Sequence, residues 1–274
     1  MDPYIDPRSG ILRNKFGLGS QESLDVAEAN AVSVRSVLLQ MNPLPGNFDS
    51  EHLKSIHRYL FQDVYDFAGE PRSVTLAKQD FSQRSKVTHF TLPTLIDSEL
   101  QVLFDKLAKD GFLQGLSRRM FAVKIAELFA EINRIHPFRE GNGRAQRQFV
   151  RQLAASNGYK LHFGVVSKER LVQASILSTN GDLGMMKRLM DEITDTERIQ
   201  PLIGVIEHFK KHGFNWNDVY LSTTTSGQKY VGEFAGSNGT DFFFRDDTDR
   251  IIVGRMKDIT SKPKSGDKIE FVAT

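Results

Sequence analysis

The sequence predicts two parts of different fold class, a mainly α-helical domain with one β-hairpin and then a small β-barrel. Apolar residues recur at helical spacing through most of residues 20–200, which is the period of amphipathic helices. From Val219 onward, short runs of β-branched and aromatic residues alternate with turn residues, as in a small sheet or barrel. We therefore expect a helical domain over 1–200, a connecting helix or linker over 201–215 and a β domain over 216–274.

The predicted helices are apolar stripes bounded by capping residues and prolines. Ser20 is a suitable N-cap for the first helix, and Pro43 ends it. The helix that precedes His136 must end there, because Pro137 cannot continue it. In chain order the predicted helices span 20–39, 49–61, 93–109, 117–135, 142–157, 167–179, 183–193 and 202–212.

One β-prone stretch, residues 73–78, interrupts the helical pattern. Gly-Glu-Pro precedes it and polar residues follow, as expected of one strand of a hairpin. Two interpretations stay open at this point. The hairpin is either a plain structural element or a strand whose exposed edge pairs with another chain, since an unpaired edge is otherwise a liability.

The β domain is predicted from four short runs, 229–234, 241–244, 250–253 and 268–272. Four or five short strands at this spacing favour an OB-like barrel. Over 201–274, ten Lys and Arg residues balance ten Asp and Glu residues, whereas phosphate binding requires positive charge. We therefore expect no nucleic-acid partner and favour a structural or protein-contact role.

The composition is that of a soluble globular protein. The 274 residues are 39% hydrophobic and include 20 phenylalanines, which is ample for a core, and the formal net charge is only +2. The chain has no cysteine, which excludes disulfides and thiolate metal sites and fits a reducing compartment or passage through a secretion machine. We find no apolar run of membrane-spanning length and no conventional export signal.

The residues most suited to catalysis or ligand binding are concentrated in residues 136–147, His-Pro-Phe-Arg-Glu-Gly-Asn-Gly-Arg-Ala-Gln-Arg. The glycines permit positive φ and a close approach of the backbone to a ligand. A helix that starts near Asn142 adds its positive end, so the turn suits an anion. Arg144 and Arg147 would share one face of that helix and suit a polyphosphate.

Glu140 and His136 complete this group of residues. A carboxylate beside phosphates suits Mg²⁺, and histidine ordinarily titrates near neutral pH, so His136 is the candidate general base. Taken singly, Gly-Asn-Gly is most often a turn, His-Pro a helix end and an arginine-rich helix a solvated face. All of them within one twelve-residue window favour a functional site.

The window resembles the signature of the Fic (filamentation induced by cAMP) family, His-Pro-Phe-x-Asp/Glu-Gly-Asn-Gly-Arg-x-x-Arg, at every fixed position. The resemblance implies a protein adenylyltransferase that moves AMP from ATP to a Ser, Thr or Tyr hydroxyl of a target protein. It implies that His136 is the base, that Glu140 holds Mg²⁺ on the phosphates, and that Arg144 and Arg147 bind the leaving diphosphate. The further residues expected in the nucleotide site are Phe138, Gly141, Asn142, Gly143, Ala145 and Gln146.

The same resemblance assigns two further regions. The family has a flap that holds an extended, hydroxyl-bearing target segment by strand addition, and here it would comprise Ser73, Val74, Thr75, Leu76, Ala77 and Lys78. The following Phe81 fits that pattern. By position alone, Gln173 and Asn180 are the candidates for the adenine pocket. Phe138 is expected to bury itself and hold the loop.

Two alternatives to adenylyl transfer stay open. Some family members transfer other nucleotides, or bind ATP inverted and transfer its γ-phosphate. A non-enzymatic adaptor with a relict site is the other alternative. The intact Arg147 favours the AMP orientation, and the intact signature argues against the adaptor.

Regulation is also implied by the resemblance. Many family members silence themselves with a Ser/Thr-x-x-x-Glu helix whose glutamate pairs with the second signature arginine, here Arg147. No glutamate of this chain has Ser or Thr four positions before it; Leu24, for example, precedes Glu28. The resemblance then implies a small antitoxin-like protein that supplies the glutamate in trans.

The order of a helical domain and a β domain resembles the Fic plus OB-fold region of Bartonella type IV secretion effector proteins. Those proteins usually carry a further delivery domain, so we expect a shorter relative or a truncated chain. The implied location is the bacterial cytoplasm, with translocation into a host cell through a type IV secretion system.

Overall fold

The structure is a computed structural model, and it describes residues 2–79, 87–260 and 262–274. The chain forms two compact units, one of Met1–Leu116 with Glu127–Tyr159 and the other of Ser117–Ala126 with Lys160–Thr274. The predicted domain boundaries at residues 200 and 215 remain predictions. Nowhere in the described ranges is a helix both long and apolar enough to cross a membrane.

Helices dominate the first unit, and the first of them has the N-cap expected from the sequence. The Ser20 side chain accepts a hydrogen bond from Ser23 N–H, and Asp49 accepts one from His52 N–H at 2.8 Å, so each satisfies a backbone donor at a helix start. The helices are α1 (Gln21–Met41), α2 (Ser50–Phe61), α3 (Ile96–Lys109), the end of α4 (Arg118–Ile135) and α5 (Asn142–Ser156).

The hairpin of the first unit is confirmed but shorter than predicted. β1 (Ala77–Gln79) pairs antiparallel with β2 (Val87–His89), with Ala77 opposite His89. Residues 73–76 were expected to extend β1, and they lie in bends and irregular structure instead. The backbone of the first two is bound elsewhere: Tyr4 Oη accepts from Ser73 N–H, and Arg72 donates to Val74 O. Phe81 lies outside the described residues.

The second unit contains the first part of α4, three further helices and one sheet. The helices are α6 (Lys168–Thr179), α7 (Gly184–Ile193) and α8 (Thr196–Lys211). The prediction that the last helix begins at residue 202 was wrong. It begins earlier because Asp195 caps it by accepting from Glu197 N–H, and Pro201 so near the start removes only one helical hydrogen bond.

The sheet of the second unit is mixed and open. Its order is β3-β6-β5-β4-β7, in which only the β3–β6 pair is parallel. Because no pairing between β3 and β7 closes the sheet in the described chain, the OB-like barrel is not confirmed. The strands are β3 (Leu221–Thr223), β4 (Lys229–Ser237), β5 (Asp241–Arg245), β6 (Ile251–Arg255) and β7 (Lys268–Val272). Most members of the hydrophobic core cluster here belong to these strands, and the cluster comprises Phe234, Phe242, Phe244, Ile252, Ile269, Phe271 and Ala273.

Candidate active site

The signature loop, residues 136–141, connects α4 to α5 and begins with a left-handed histidine. α4 ends at Ile135, and His136 has φ of 50°, a region that non-glycine residues rarely occupy. The His136 ring is buried and stacks on Phe90, with 3.9 Å between centroids and 14° between planes. The candidate base therefore has one orientation, held by its backbone on one side and by an aromatic ring on the other.

A buried arginine keeps that backbone in place. Arg72 is only 2% exposed. Its side-chain Nε donates to His136 O at 2.8 Å, and its backbone N–H donates to Pro137 O at 2.8 Å. The same guanidinium donates to Val74 O at 2.7 Å and to Thr91 O at 2.5 Å. Arg72 thus connects the start of the signature loop to the segment before the hairpin, at Val74, and to the segment after it, at Thr91.

His57 fixes the other end of the loop. Its Nδ1 accepts from Gly69 N–H at 2.8 Å, so its Nε2 carries the proton and donates to Glu140 O at 2.9 Å. Its ring stacks on Phe138 with centroids 3.8 Å apart. Burial lowers the pKa of His57 to about 3, so the neutral ring persists at physiological pH.

Phe138 and Asn142 make the interior of the loop. Phe138 is 1% exposed, so the expectation that it buries itself is confirmed. The Asn142 side chain accepts from Phe138 N–H at 2.8 Å and donates to Phe138 O at 2.7 Å. Its amide is therefore used within the loop, and only its backbone N–H is left to face a ligand.

The start of α5 is shaped as an anion site. Gly141 has φ of 78°, and a Cβ there would meet the Phe61 ring at 2.2 Å, so only glycine fits. The N–H groups of Asn142 and Gly143 come first in the helix and have no intrahelical acceptor. The Ala145 and Gln146 side chains are buried, and their assignment to the nucleotide site remains a prediction.

The two signature arginines differ in their surroundings. Arg144 lies 3.3 Å from Glu140 and 2.5 Å from Glu28. For Arg147, the described residues provide neither an ion pair nor a hydrogen-bond acceptor. Burial, with the positive charges of Arg151 and Arg144, lowers the pKa of Arg147 to about 10. A desolvated cation without a counter-charge is costly, so this position favours an incoming anion.

Glu140 lies at the edge of the loop with a 42% exposed side chain. One of its oxygens accepts from Gly141 N–H at 2.8 Å, which orients the carboxylate. Across the described residues there is no group of three His, Asp or Glu side chains that could hold a metal ion.

Gln173 and Asn180 belong to the second unit. The Gln173 amide donates to Glu169 at 2.5 Å, and Asn180 N–H caps the end of α6. Their assignment to an adenine pocket remains a prediction.

Sequence reasoning missed four residues that shape the site: His57, Arg72, Glu28 and Tyr65. His57 is buried, and its hydrogen bond to Glu140 joins positions 83 residues apart. The Arg72 bond to His136 spans 64 residues. No local spacing signals such contacts.

Comparisons with known proteins agree with this geometry. A model described as the Fic/DOC family matches residues 47–154. The "Protein adenylyltransferase" of Bartonella henselae is 32% identical over 98% of this chain and 52% of its own length. The "Probable protein adenylyltransferase Fic" of Escherichia coli is 34% identical over 70% of this chain and 92% of its own length. The solved type IV secretion system effector protein BepA has a TM-score of 0.87 at 31% identity, over 98% of this chain and 95% of that one.

The helical fold and the signature loop are those of a Fic domain, and the chain belongs to the Fic/DOC family. Its mainly helical architecture with a C-terminal sheet matches that of BepA. The chain spans about half the length of the Bartonella henselae relative.

The neutral His57 makes stability depend on pH. An unfolded histidine binds a proton below about pH 6.5, whereas the folded His57 stays neutral to about pH 3. The unfolding free energy should therefore fall as the pH drops below about 6.5, by up to ~1.4 kcal/mol per pH unit from this residue. Denaturant titrations at several pH values, followed by circular dichroism, would measure the slope.

His57→Gln keeps a donor and an acceptor but does not titrate, so its slope should be shallower than that of the wild type. His89→Gln, on an exposed histidine, is the matched control for the loss of one imidazole. Equal slopes for His57→Gln and the wild type would contradict the assignment.

Proposed function

We propose that this chain is a protein adenylyltransferase that moves AMP from ATP to a hydroxyl group of a target protein. The observation that carries the proposal is Arg147, a desolvated guanidinium with no anionic partner in the described chain. It lies on α5, whose first N–H groups also favour an anion. A polyphosphate supplies the missing charge, and the relatives named as adenylyltransferases favour ATP as its source.

In the proposed reaction, the target hydroxyl oxygen forms a bond to the α-phosphorus of ATP, and the bond from that phosphorus to the diphosphate oxygen breaks. His136 accepts the hydroxyl proton. Arg144 and Arg147 bind the leaving diphosphate, and the N–H groups of Asn142 and Gly143 stabilise the charge on the phosphate oxygens. The products are the AMP-modified protein and diphosphate.

Mg²⁺ is the proposed cofactor, and Glu140 is the residue that would hold it. Its carboxylate is half-exposed and oriented by Gly141 N–H, and oxygen is the ligand that Mg²⁺ prefers, usually together with substrate phosphates. When bound, the ion supplies positive charge to the α- and β-phosphates.

Further assignments belong to the same proposal. Gln173 and Asn180 would contact adenine, and the Fic domain would end near residue 200. An OB-like β domain would serve protein contact rather than nucleic-acid binding. Because BepA is a type IV secretion effector, delivery from the bacterial cytoplasm into a host cell is proposed for this chain too.

The position of the label on ATP distinguishes the candidate reactions. The chain, Mg²⁺ and a host or bacterial lysate are incubated with ATP labelled at either the α- or the γ-phosphorus. Label is counted only above that of the same lysate without the chain. Such label from α-labelled ATP alone supports adenylyl transfer. Such label from the γ-phosphorus shows phosphoryl transfer, and such label from neither overturns the proposal.

We expect His136→Ala to lose AMP transfer and to keep its ATP affinity. The proton acceptor is removed while the phosphate site stays, so the rate should fall by at least roughly 10²-fold. Arg147→Ala is the complementary variant and should weaken ATP binding by roughly tenfold or more, because a charge-assisted contact is lost. Radiolabel transfer and titration calorimetry measure the two effects. Transfer retained by His136→Ala, or unchanged ATP affinity in Arg147→Ala, would contradict these roles.

The hairpin is proposed to bind the target by strand addition. Leu76 O accepts from Phe90 N–H at 3.3 Å. In this strand the backbone N–H and C=O groups of even-numbered residues therefore point toward β2, and those of odd-numbered residues point away from it. Ala77 N–H therefore points to the edge of β1 that no other described strand covers. An extended target segment can pair there.

Ala77→Pro should impair modification of a protein target by roughly tenfold and leave ATP affinity unchanged, because proline removes the outward backbone donor. Ala77→Gly keeps the N–H and is the control. Steady-state AMP transfer to the purified target measures the effect. The docking proposal fails if proline and glycine at this position give the same rate.

A small inhibitory protein is the proposed regulatory partner, with a glutamate that reaches Arg147. Arg147 has no internal carboxylate partner in the described chain, so it offers such a glutamate a binding site. Co-expression with the small open reading frame next to its gene should give a complex that co-elutes and transfers less AMP. A chain that elutes alone with unchanged activity would show that this partner does not exist.

A further inference from the structure

Arg144 is held by more of the protein than the signature that contains it. Its Nη1 lies 2.5 Å from Glu28 Oε1, and its Nη2 lies 3.3 Å from Glu140 Oε1. The guanidinium also lies over the Phe61 ring, 4.6 Å from the centroid, a geometry that attracts a cation to the ring face. Helices α1 and α2 and the signature loop therefore each contribute one contact to a single guanidinium.

Glu28 is itself fixed from behind. Its side chain is only 12% exposed, and its second oxygen accepts a hydrogen bond from Tyr65 Oη. Tyr65 is 2% exposed. Burial and the bond to Glu28 raise the pKa of Tyr65, so the phenol keeps its proton and remains a donor. A buried carboxylate is tolerated only when it is paired, and here the hydroxyl and the guanidinium pair both oxygens.

Arg144 differs from Arg147 in having its guanidinium held by other groups of the protein. Both arginines are proposed to bind the same diphosphate, yet in the described chain only Arg144 has internal anionic partners. A guanidinium has five N–H donors, so two contacts to carboxylates leave others for phosphate oxygens. An arginine already held in one geometry loses less side-chain entropy when its ligand binds.

We propose that Glu28 and Tyr65 are positioning residues for Arg144. Neither belongs to the signature, and both act through the guanidinium: Tyr65 fixes the Glu28 carboxylate, and Glu28 sets the direction in which Arg144 presents its remaining N–H groups to the diphosphate end of ATP. This inference rests on the proposed adenylyl transfer. Glu28 is not a mobile competitor for the phosphate position, because its two oxygens are engaged and only 12% of its side chain is exposed.

Substitution of the carboxylate tests the role. Glu28→Gln keeps the size and an acceptor for Tyr65 but removes the charge, so ATP should bind about tenfold more weakly and kcat/KM for ATP should fall by about the same factor. Tyr65→Phe removes only the hydroxyl and should have a smaller effect in the same direction, about threefold. Glu22→Gln, on the exposed face of the same helix, is the matched control and should match the wild type.

A double-mutant cycle separates positioning from a general structural effect. ATP affinity in the presence of Mg²⁺ is measured by calorimetry for the wild type, Glu28→Gln, Arg144→Ala and the double variant. Glu28→Gln should cause no further loss of affinity once Arg144 is absent, because the two residues act through one contact. Equal losses with and without Arg144 would overturn the proposal. Should Glu28→Gln not fold, as circular dichroism would show, the same cycle with Tyr65→Phe decides in its place.

Activity and binding together distinguish the two proposals. A wild-type chain that binds ATP but transfers no AMP defeats the proposed function, while the binding cycle still tests the coupling of Glu28 to Arg144. A wild-type chain that transfers AMP, with Glu28→Gln equal to it in affinity and rate, defeats the positioning role alone. Faster transfer by Glu28→Gln also overturns it, since Glu28 would then compete with phosphate.

Discussion

The signature loop depends on buried polar side chains that satisfy its backbone. α4 stops at Ile135, and the peptide groups that follow point into the protein, where an unpaired donor or acceptor is costly. Arg72 covers the carbonyl of His136, His57 covers that of Glu140, and Asn142 bonds both groups of Phe138. The left-handed backbone at His136 persists because these bonds determine the path of the loop on both sides of it.

Because these contacts are internal, the loop is shaped before any ligand binds. The Arg72 guanidinium donates hydrogen bonds to His136 in the loop and also to Val74 and Thr91, which lie just before and just after the hairpin. A shift of the residues at the ends of the hairpin would therefore strain the same Arg72 bonds that orient His136, the candidate general base. In the proposed function, this links the edge that receives the target to the group that accepts its proton.

The two signature arginines of α5 differ in their electrostatic surroundings. Arg144 is balanced by Glu28 and Glu140, whereas Arg147 lies near other positive charges that, with burial, lower its pKa. Among the described residues Arg147 has no counter-charge, and the fold accepts the cost of holding this cation in the first half of α5. Such a cost is characteristic of functional sites, where binding a ligand recovers what stability gave up.

The sequence by itself determined the starts of α1 and α2 at Ser20 and Asp49 and the end of α4 just before Pro137. It also determined the presence of a hairpin and the residues of the signature loop. These features depend on neighbours within one or two turns, so capping, proline and periodicity are enough to predict them. Only the tertiary structure decided that residues 73–76 leave the strand, that the sheet of the second unit stays open, and that His57, Arg72 and Glu28 hold the loop and its arginine. Those outcomes depend on contacts between residues far apart in the chain, such as the 83 positions between His57 and Glu140, and no local pattern encodes which distant groups the folded chain brings together.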